Sequence, residues 1–408
     1  MPNQQTLIAG LDIGTSSIKV VIGERKSDGR VDIIGVGSSP SRGLRKGVVV
    51  NIESTVAAIA RAVAQAETMA GCEIHSVFVT ISGSHIKSFN SDGIVGIKNK
   101  EVSAIDIEKV IEAAKAVAIP LDREILHVLP QEFVIDEQDG VRDPIGISGV
   151  RLEARVHIVT GAIASAQNIV KCANRCGLSV QDIVVSPLAS ARAVLSQEEQ
   201  ELGVCLLDIG GGTCGITVFH GGAVKFTSVL AVGGNHITND IAAGLRTPLA
   251  AAERIKCDYG TSIARSVSKD DTLEVPSTGG RAARVLSKFV LAEIIEPRVT
   301  EVFALIHSEL IKAGCEDLLT SGIVITGGSA HLPGITQSAE QVFNLPVRVG
   351  SPQGLGGLID LVKGPENAAA VGLLQHGAMQ VQSLNRSAAK GAIGRTFGRL
   401  TSWISDHF

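Results

Sequence analysis

Residues 203–222 read "GVCLLDIGGGTCGITVFHGG", and residues 7–24 read "LIAGLDIGTSSIKVVIGE". Each stretch is an apolar strand ending in Asp, followed by Ile-Gly, a turn of small residues and a second β-branched strand. Asp12 and Asp208 hold matching places in two copies about half the chain apart. So long a period marks duplication of a domain rather than of a short solenoid unit, and predicts two related halves. A turn without bulky side chains lets backbone N–H groups approach phosphate oxygens, and an Asp at the strand end is a hard oxygen donor for hydrated Mg²⁺. Two such turns facing each other would form a phosphate clamp, with Asp12 and Asp208 holding the metal largely through water.

Other phosphate motifs fail on context. Gly210, Gly212 and Gly215 satisfy G-x-G-x-x-G, but the chain continues as alternating strand, "ITVFHGGAVKFTSVLAV", where a dinucleotide fold would open a helix. No G-x-x-x-x-G-K-[ST] occurs. Two further segments suit a nucleotide. "AAERIKCDYG" (251–260) puts Glu253 and Lys256 on one helical face, fit for ribose hydroxyls and ring nitrogens. "GIVITGGSAHLPGI" (322–335) is a buried-type strand followed by Gly327 and Gly328, where a flat base can slide along bare backbone.

Composition narrows the class. With 408 residues and 45% apolar content the chain can build more than one core. A net charge of −4, without Lys/Arg runs interleaved with aromatics, argues against a nucleic-acid partner. The seven cysteines include no C-x-x-C pair, which fits a reducing compartment and no zinc site. Cys172 and Cys176 lie one helical turn apart and read as buried structural thiols. No signal peptide opens the sequence and no stretch reaches 18 apolar residues, so membrane contact has to come from the C-terminal tail.

That tail, "GAIGRTFGRLTSWISDHF" (391–408), holds the single Trp. Ile393, Phe397, Leu400, Ile404 and Phe408 form one helical stripe with Trp403 at its edge, and Arg395, Arg399, Ser402 and Asp406 lie opposite. Such a helix awaits a surface, either lipid or the protein's own body. The preceding "MQVQSLNRSAAKG" (379–391) is polar and aperiodic and reads as a tether, which favours lipid. Earlier in the chain, 84–160 has its own pattern. "SAIDIEKVIEAAKAVA" opens with Ser103 and Asp106 as a capping signal, and "EILHVLPQEFVI" and "RLEARVHIVT" alternate as strands, so an α+β insert is expected.

Taken in order, "GLDIGTSSIK", "LLDIGGGT", "VGGNHITNDIA", "AERIK" and "VITGGSAHLPG" are similar to the nucleotide-site segments of the actin, sugar kinase and heat-shock chaperone superfamily. Within it the chain, from Ala9 to Gly377, most resembles the FtsA family of bacterial cell-division proteins. "RGLRKGVVVNIESTVAAI", "VHIVTGA", "IIEPRVTEVF" and the terminal amphipathic helix carry that likeness. The resemblance implies an α/β actin-like ATPase fold, two related halves around a nucleotide cleft. Residues 1–83 and 161–195 would form the first-half core, 84–160 the inserted subdomain, 196–228 and 304–378 the second-half core, and 229–303 a small subdomain. A flexible linker, 379–391, and a membrane-targeting helix, 392–408, would follow.

The resemblance also implies ATP and Mg²⁺ as ligands. Gly14, Thr15, Ser16, Gly210, Gly211, Gly212 and Thr213 would form the two turns, and Lys19 would meet the β-phosphate. Gly233, Gly234 and Asn235 would line the phosphates, Glu253 and Lys256 the sugar and base, and Gly327 and Gly328 the adenine. Implied partners are further copies of the chain, the C-terminal tail of FtsZ with Arg298 as a candidate contact, later division proteins at the insert, and anionic lipid under the inner membrane at the septum. Ser186 stands where chaperones carry a water-positioning Glu, and Val229 where they carry an Asp, so at most weak ATP hydrolysis is expected. The alternatives are a sugar-kinase-like or chaperone-like ATPase. The first needs a catalytic Asp and the second a following β-domain, and neither is readable here.

Overall fold

The computed structural model describes residues 7–26, 30–279 and 281–389. The tail helix, with Ile393, Phe397, Leu400, Trp403, Ile404 and Phe408, lies outside the described residues.

The first half begins with β1 (Leu7–Ile13) and β2 (Ser17–Arg25), an antiparallel pair that sets Asp12 opposite Lys19. β3 (Val31–Pro40) pairs with β2, and a two-residue hairpin of β4 (Leu44–Arg45) and β5 (Val48–Val49) leads into α1 (Ile52–Ala70). The Asn51 side chain caps α1 by accepting the Ser54 N–H at 2.8 Å. The helix can lie flat on the sheet because β3 offers glycines: a Cβ on Gly37 would sit 1.9 Å from the Ala62 carbonyl oxygen. β6 (Ser76–Ile81) then joins β1 in parallel.

The insert follows as β7 (Lys87–Gly96), α2 (Ala104–Lys115), β8 (Arg123–Ile135), β9 (Gln138–Val141) and β10 (Arg151–Ala162). Its sheet has the order β7-β10-β8-β9 and buries its own core around Val110, Ile111, Phe133 and Ile158. α2 starts where the capping signal predicts, with the Ser103 N–H donating to Asp106 Oδ2 at 3.1 Å. The chain returns to the first half through α3 (Ile163–Arg175), β11 (Ser179–Val185), α4 (Ser186–Val194) and α5 (Gln197–Leu202).

The second half repeats the plan with β12 (Val204–Ile209), β13 (Cys214–His220) and β14 (Ala223–Leu230). α6 (Gly234–Leu245), α7 (Leu249–Tyr259), β15 (Thr272–Val275), β16 (Arg284–Ser287) and α8 (Lys288–Lys312) come next, then β17 (Ile323–Thr326), α9 (Ile335–Phe343), β18 (Val347–Val349), β19 (Gly356–Gly357) and α10 (Ala368–Ala389). The five core strands run β3-β2-β1-β6-β11 in one half and β14-β13-β12-β17-β18 in the other, with matching parallel and antiparallel pairings. The duplicated strand-turn-strand therefore heads two copies of one sheet.

Two boundaries differ from the sequence reading. Residues 304–378 were expected in the second-half core, yet α10 buries Ala370, Val371, Leu373 and Leu374 in the first-half core, and β19 extends the first-half sheet beside β3. Bare backbone on β1 admits the helix: a Cβ on Gly10 would lie 2.8 Å from the Ala370 carbonyl oxygen. The stretch 379–391, expected as a linker, is helical as far as Ala389. Ala, Gln and Leu sustain a helix once its first turns are fixed by packing, and no Gly or Pro interrupts it there.

α10 crosses α4 at Gly372, where a Cβ would come within 1.8 Å of the Ala189 carbonyl oxygen. Gly372→Ala is expected to destabilise the protein by about 1–3 kcal/mol or more, since neither helix backbone can recede from a packed core. Thermal denaturation against the parent chain measures this, and an unchanged midpoint would contradict the packing.

Candidate functional site

β1 and β12 end side by side, so their turns open into one cleft of about 410 Å³ between the halves. The turns are built alike: the Gly14 N–H donates to the Ser17 carbonyl at 3.2 Å, and the Gly210 N–H to the Thr213 carbonyl at 2.9 Å. They also touch. A Cβ on Gly211 would lie 1.9 Å from Ser16 Oγ, and one on Gly212 would lie 2.7 Å from the Thr15 side chain. Only backbone can occupy this contact, which explains the glycine run more directly than the pseudo-dinucleotide spacing does. A third segment braces the second turn, with the Gly234 and Asn235 N–H groups donating to the carbonyls of Gly210 at 3.0 Å and Gly211 at 2.8 Å. α6 starts at Gly234, and its positive N-terminal end lies beside the cleft.

The carboxylates at the cleft floor are held by hydroxyls. Asp12 Oδ1 accepts from Thr80 Oγ1 at 2.8 Å, and that oxygen accepts the Ile13 N–H at 2.9 Å. Asp208 Oδ2 accepts from Ser190 Oγ at 2.7 Å and Ser186 Oγ at 3.3 Å. Burial, with a smaller push from the nearby Asp208, raises Asp12 to about 6 against the pull of Thr80 and Lys19. Burial likewise raises Asp208, opposed by its two serine bonds and Lys19. Lys19 is held down by desolvation, opposed by Asp12, Glu366 and Asp208, and its Nζ donates to Asn367 Oδ1 at 2.9 Å and to the Glu366 carbonyl.

On the far wall Lys256 Nζ donates to Glu253 Oε2 at 2.7 Å, Thr238 Oγ1 at 2.9 Å and the Gly234 carbonyl at 3.2 Å. Gly327, at φ 84°, passes so close to the second carboxylate that a Cβ would be 2.6 Å from Asp208 Oδ1. Of the candidate cleft residues, all but Gly212 and Gly233 line it; those two lie behind it, packed on Thr15 and on the 210–211 backbone. Arg298 lies outside the cleft on α8, its guanidinium bound to Asp240 of α6 at 3.1 Å and to Glu301. Sequence reading missed Thr80, Ser82, Ser190, His331 and Glu366. His331 Nε2 pairs with Glu366 Oε2 at 2.6 Å at the cleft's edge. The available signal was Gly364-Pro365 just before an Ala-rich helix, which marks a tight entry turn.

The donor set fits Mg²⁺. Among the described residues no group of three or more His, Cys, Asp and Glu side chains is arranged for a metal. Two hard carboxylates in a cleft lined by glycine backbone suit an ion that keeps several waters and takes other ligands from phosphate oxygens. Asp12 and Asp208 would hold it, and it would neutralise phosphate charge there.

A family model described as "Cell division protein FtsA" matches residues 205–372, and one described as "SHS2 domain inserted in FTSA" matches 83–160. The Cell division protein FtsA of Pseudomonas aeruginosa is 52% identical over 98% of both chains, and that of Neisseria meningitidis serogroup B is 47% identical over 100% of both. The chain belongs to the FtsA family. It is a cell-division protein, and the matched SHS2 domain contains the separately cored sheet of the insert. Solved structures agree on the actin-like ATPase fold. The PilM-PilN type IV pilus biogenesis complex superposes with a TM-score of 0.64 at 17% identity, covering 91% of this chain and 98% of that one. MreB5 of Spiroplasma citri bound to ADP gives 0.59 at 13%, covering 94% and 99%. The MamK double helical filament gives 0.51 at 12%, covering 91% and 98%. FtsA-family membership thus joins an actin-like body to a cleft with two facing glycine turns.

Proposed function

We propose that this FtsA-family protein binds ATP with Mg²⁺ in the cleft, assembles with copies of itself, and tethers FtsZ filaments beneath the bacterial inner membrane. The observation that carries the reading is the contact of the two glycine turns beside two half-buried aspartates, an arrangement suited to a polyphosphate and its cation. Glu253 and Lys256 would take the sugar and base, and the Gly327–Gly328 backbone the adenine. Lys19 would exchange its Asn367 contact for the β-phosphate. Ser186 is a poor substitute for a water-orienting carboxylate, so ATP serves mainly as an assembly ligand and is hydrolysed slowly.

No helix among the described residues is long and apolar enough to cross a membrane. The amphipathic tail would provide attachment, at the septum and on anionic lipid. The FtsZ C-terminal tail would dock on the 229–303 subdomain, where an acidic peptide reaching Arg298 has to compete with Asp240 and Glu301. The insert would serve later division proteins.

Sedimentation with anionic vesicles and FtsZ filaments, with and without Mg-ATP, tests the whole. Mg-ATP is expected to increase both the polymer pelleted alone and the fraction carried down with lipid. ATP that changes neither would overturn the coupling.

A further inference from the structure

The two half-buried aspartates are held in different ways. Asp12 leans on Thr80 of β6, a neighbour in its own sheet, and Thr80 is fixed in turn by the Ile13 N–H. Asp208 belongs to the second half, yet both of its hydroxyl donors stand on α4, which the chain contributes before the second half begins. Ser186 and Ser190 are four residues apart, so one face of α4 presents both hydroxyls to the same oxygen, Oδ2. α4 is locked on either side of that contact. Gly372 of α10 sits against the Ala189 carbonyl, and Gly215 of β13 against Pro187, whose Cβ would be 2.7 Å from a Cβ added at Gly215. Ser190 has no exposed surface. A serine inside a helix ordinarily returns its proton to a carbonyl one turn back, but this one donates to a carboxylate of the other half.

We infer that Ser190, assisted by Ser186, is a positioning residue that fixes Asp208 for Mg²⁺-dependent nucleotide binding and ties that carboxylate to the helix joining the two halves. This rests on the Mg-ATP reading above. Ser186, at the position where chaperones carry a water-orienting Glu, is engaged in the same task. Its hydroxyl serves the carboxylate and not an attacking water.

Ser190→Ala removes one hydroxyl and leaves a good helix former, so the fold is expected to persist. ATP affinity is measured in excess Mg²⁺ and in chelator, with melting of the nucleotide-free protein alongside. A hydrogen bond to a charged group predicts a loss of about tenfold in Mg²⁺-supported affinity. Affinity in chelator is expected to stay nearly unchanged, while the melting midpoint of the nucleotide-free protein falls, because the same bond is lost from the ligand-free fold. Ser186→Ala, losing the longer bond, is expected to show a smaller loss in the same direction. Parent-like Mg²⁺ dependence in Ser190→Ala would overturn the inference and leave the Mg-ATP reading standing. Equal losses with and without Mg²⁺ would also overturn it, by showing a general structural role. A parent chain whose ATP affinity ignores Mg²⁺ would instead remove the metal reading, and the inference with it.

Discussion

Asp12→Asn is expected to raise the melting temperature of the nucleotide-free protein at pH 7.5 and to lower its affinity for Mg-ATP by about a hundredfold or more. Both effects come from burying a carboxylate. Burial lifts Asp12 from 3.8 to about 6, so the folded state binds the proton more tightly than the unfolded chain does. The stability contributed by that proton is complete below the unfolded value and is lost as pH rises through about 6. Two pH units correspond to a cost on the order of 3 kcal/mol once the group is ionised. Asp208 is shifted in the same direction, so these two carboxylates favour the ligand-free fold at pH 5 over pH 7.5, opposed by His127 and His157, which burial holds down to about 4 and about 3 and which cost stability below about 6.5; the carboxylate effect is therefore read as the difference between parent and variant. Asparagine keeps an oxygen for Thr80 and removes the charge. Lys19 loses one anion but retains Asn367 and the Glu366 carbonyl. Melting at the two pH values, for parent and variant, tests the first effect, and ATP titration in Mg²⁺ tests the second. A variant that melts no higher at pH 7.5 would show that the ionised carboxylate is not a burden. One that binds Mg-ATP normally would show that it is not a metal holder.

The parts legible in the sequence were those in which one local pattern serves one purpose. The repeated strand-turn-strand announced duplication because an Asp at a strand end followed by small residues reads the same in both copies, and the two sheets share one strand order. The insert was legible because its Ser103–Asp106 cap and alternating strands make a core of their own. What escaped were contacts made between distant segments. Thr80 and Ser190 carry no signature, since a hydroxyl in a strand or helix is common, and only the packed structure brings each to a carboxylate. α10 lies on the first half although it follows second-half sequence. That placement depends on Gly10 meeting Ala370 and on Gly372 meeting Ala189, two pairings that no local period encodes. The course of 379–389 escaped for a related reason: its polar composition suits a tether, but a helix already docked upstream propagates through residues that merely tolerate it.

Phe397→Asp is expected to abolish attachment to anionic vesicles while leaving the melting of the body unchanged. Six apolar side chains in 392–408 give a gross gain of about 9–18 kcal/mol if fully buried, at roughly 1.5–3 kcal/mol each. An interface buries them only in part. Ordering a helix costs on the order of 1–2 kcal/mol per residue before its hydrogen bonds are counted, so one tail would bind weakly and reversibly. Arg386, Lys390, Arg395 and Arg399 would add about 1 kcal/mol each near anionic lipid, opposed by Asp406. A charge in the middle of the apolar stripe takes a marginal anchor below useful affinity. In an assembly the loss would compound, because tails linked on one filament would bind as a set and avidity would multiply each deficit. Trp403 is the single Trp of the chain, so its emission reports on the tail alone. With the parent chain a blue shift is expected on anionic vesicles, weaker on neutral ones and stronger when Mg-ATP promotes assembly; with Phe397→Asp the shift should vanish. Emission already blue without lipid and indifferent to it would mean that the tail docks on protein. The filament would then need another route to the membrane, and the actin-like body would have to be understood without its anchor.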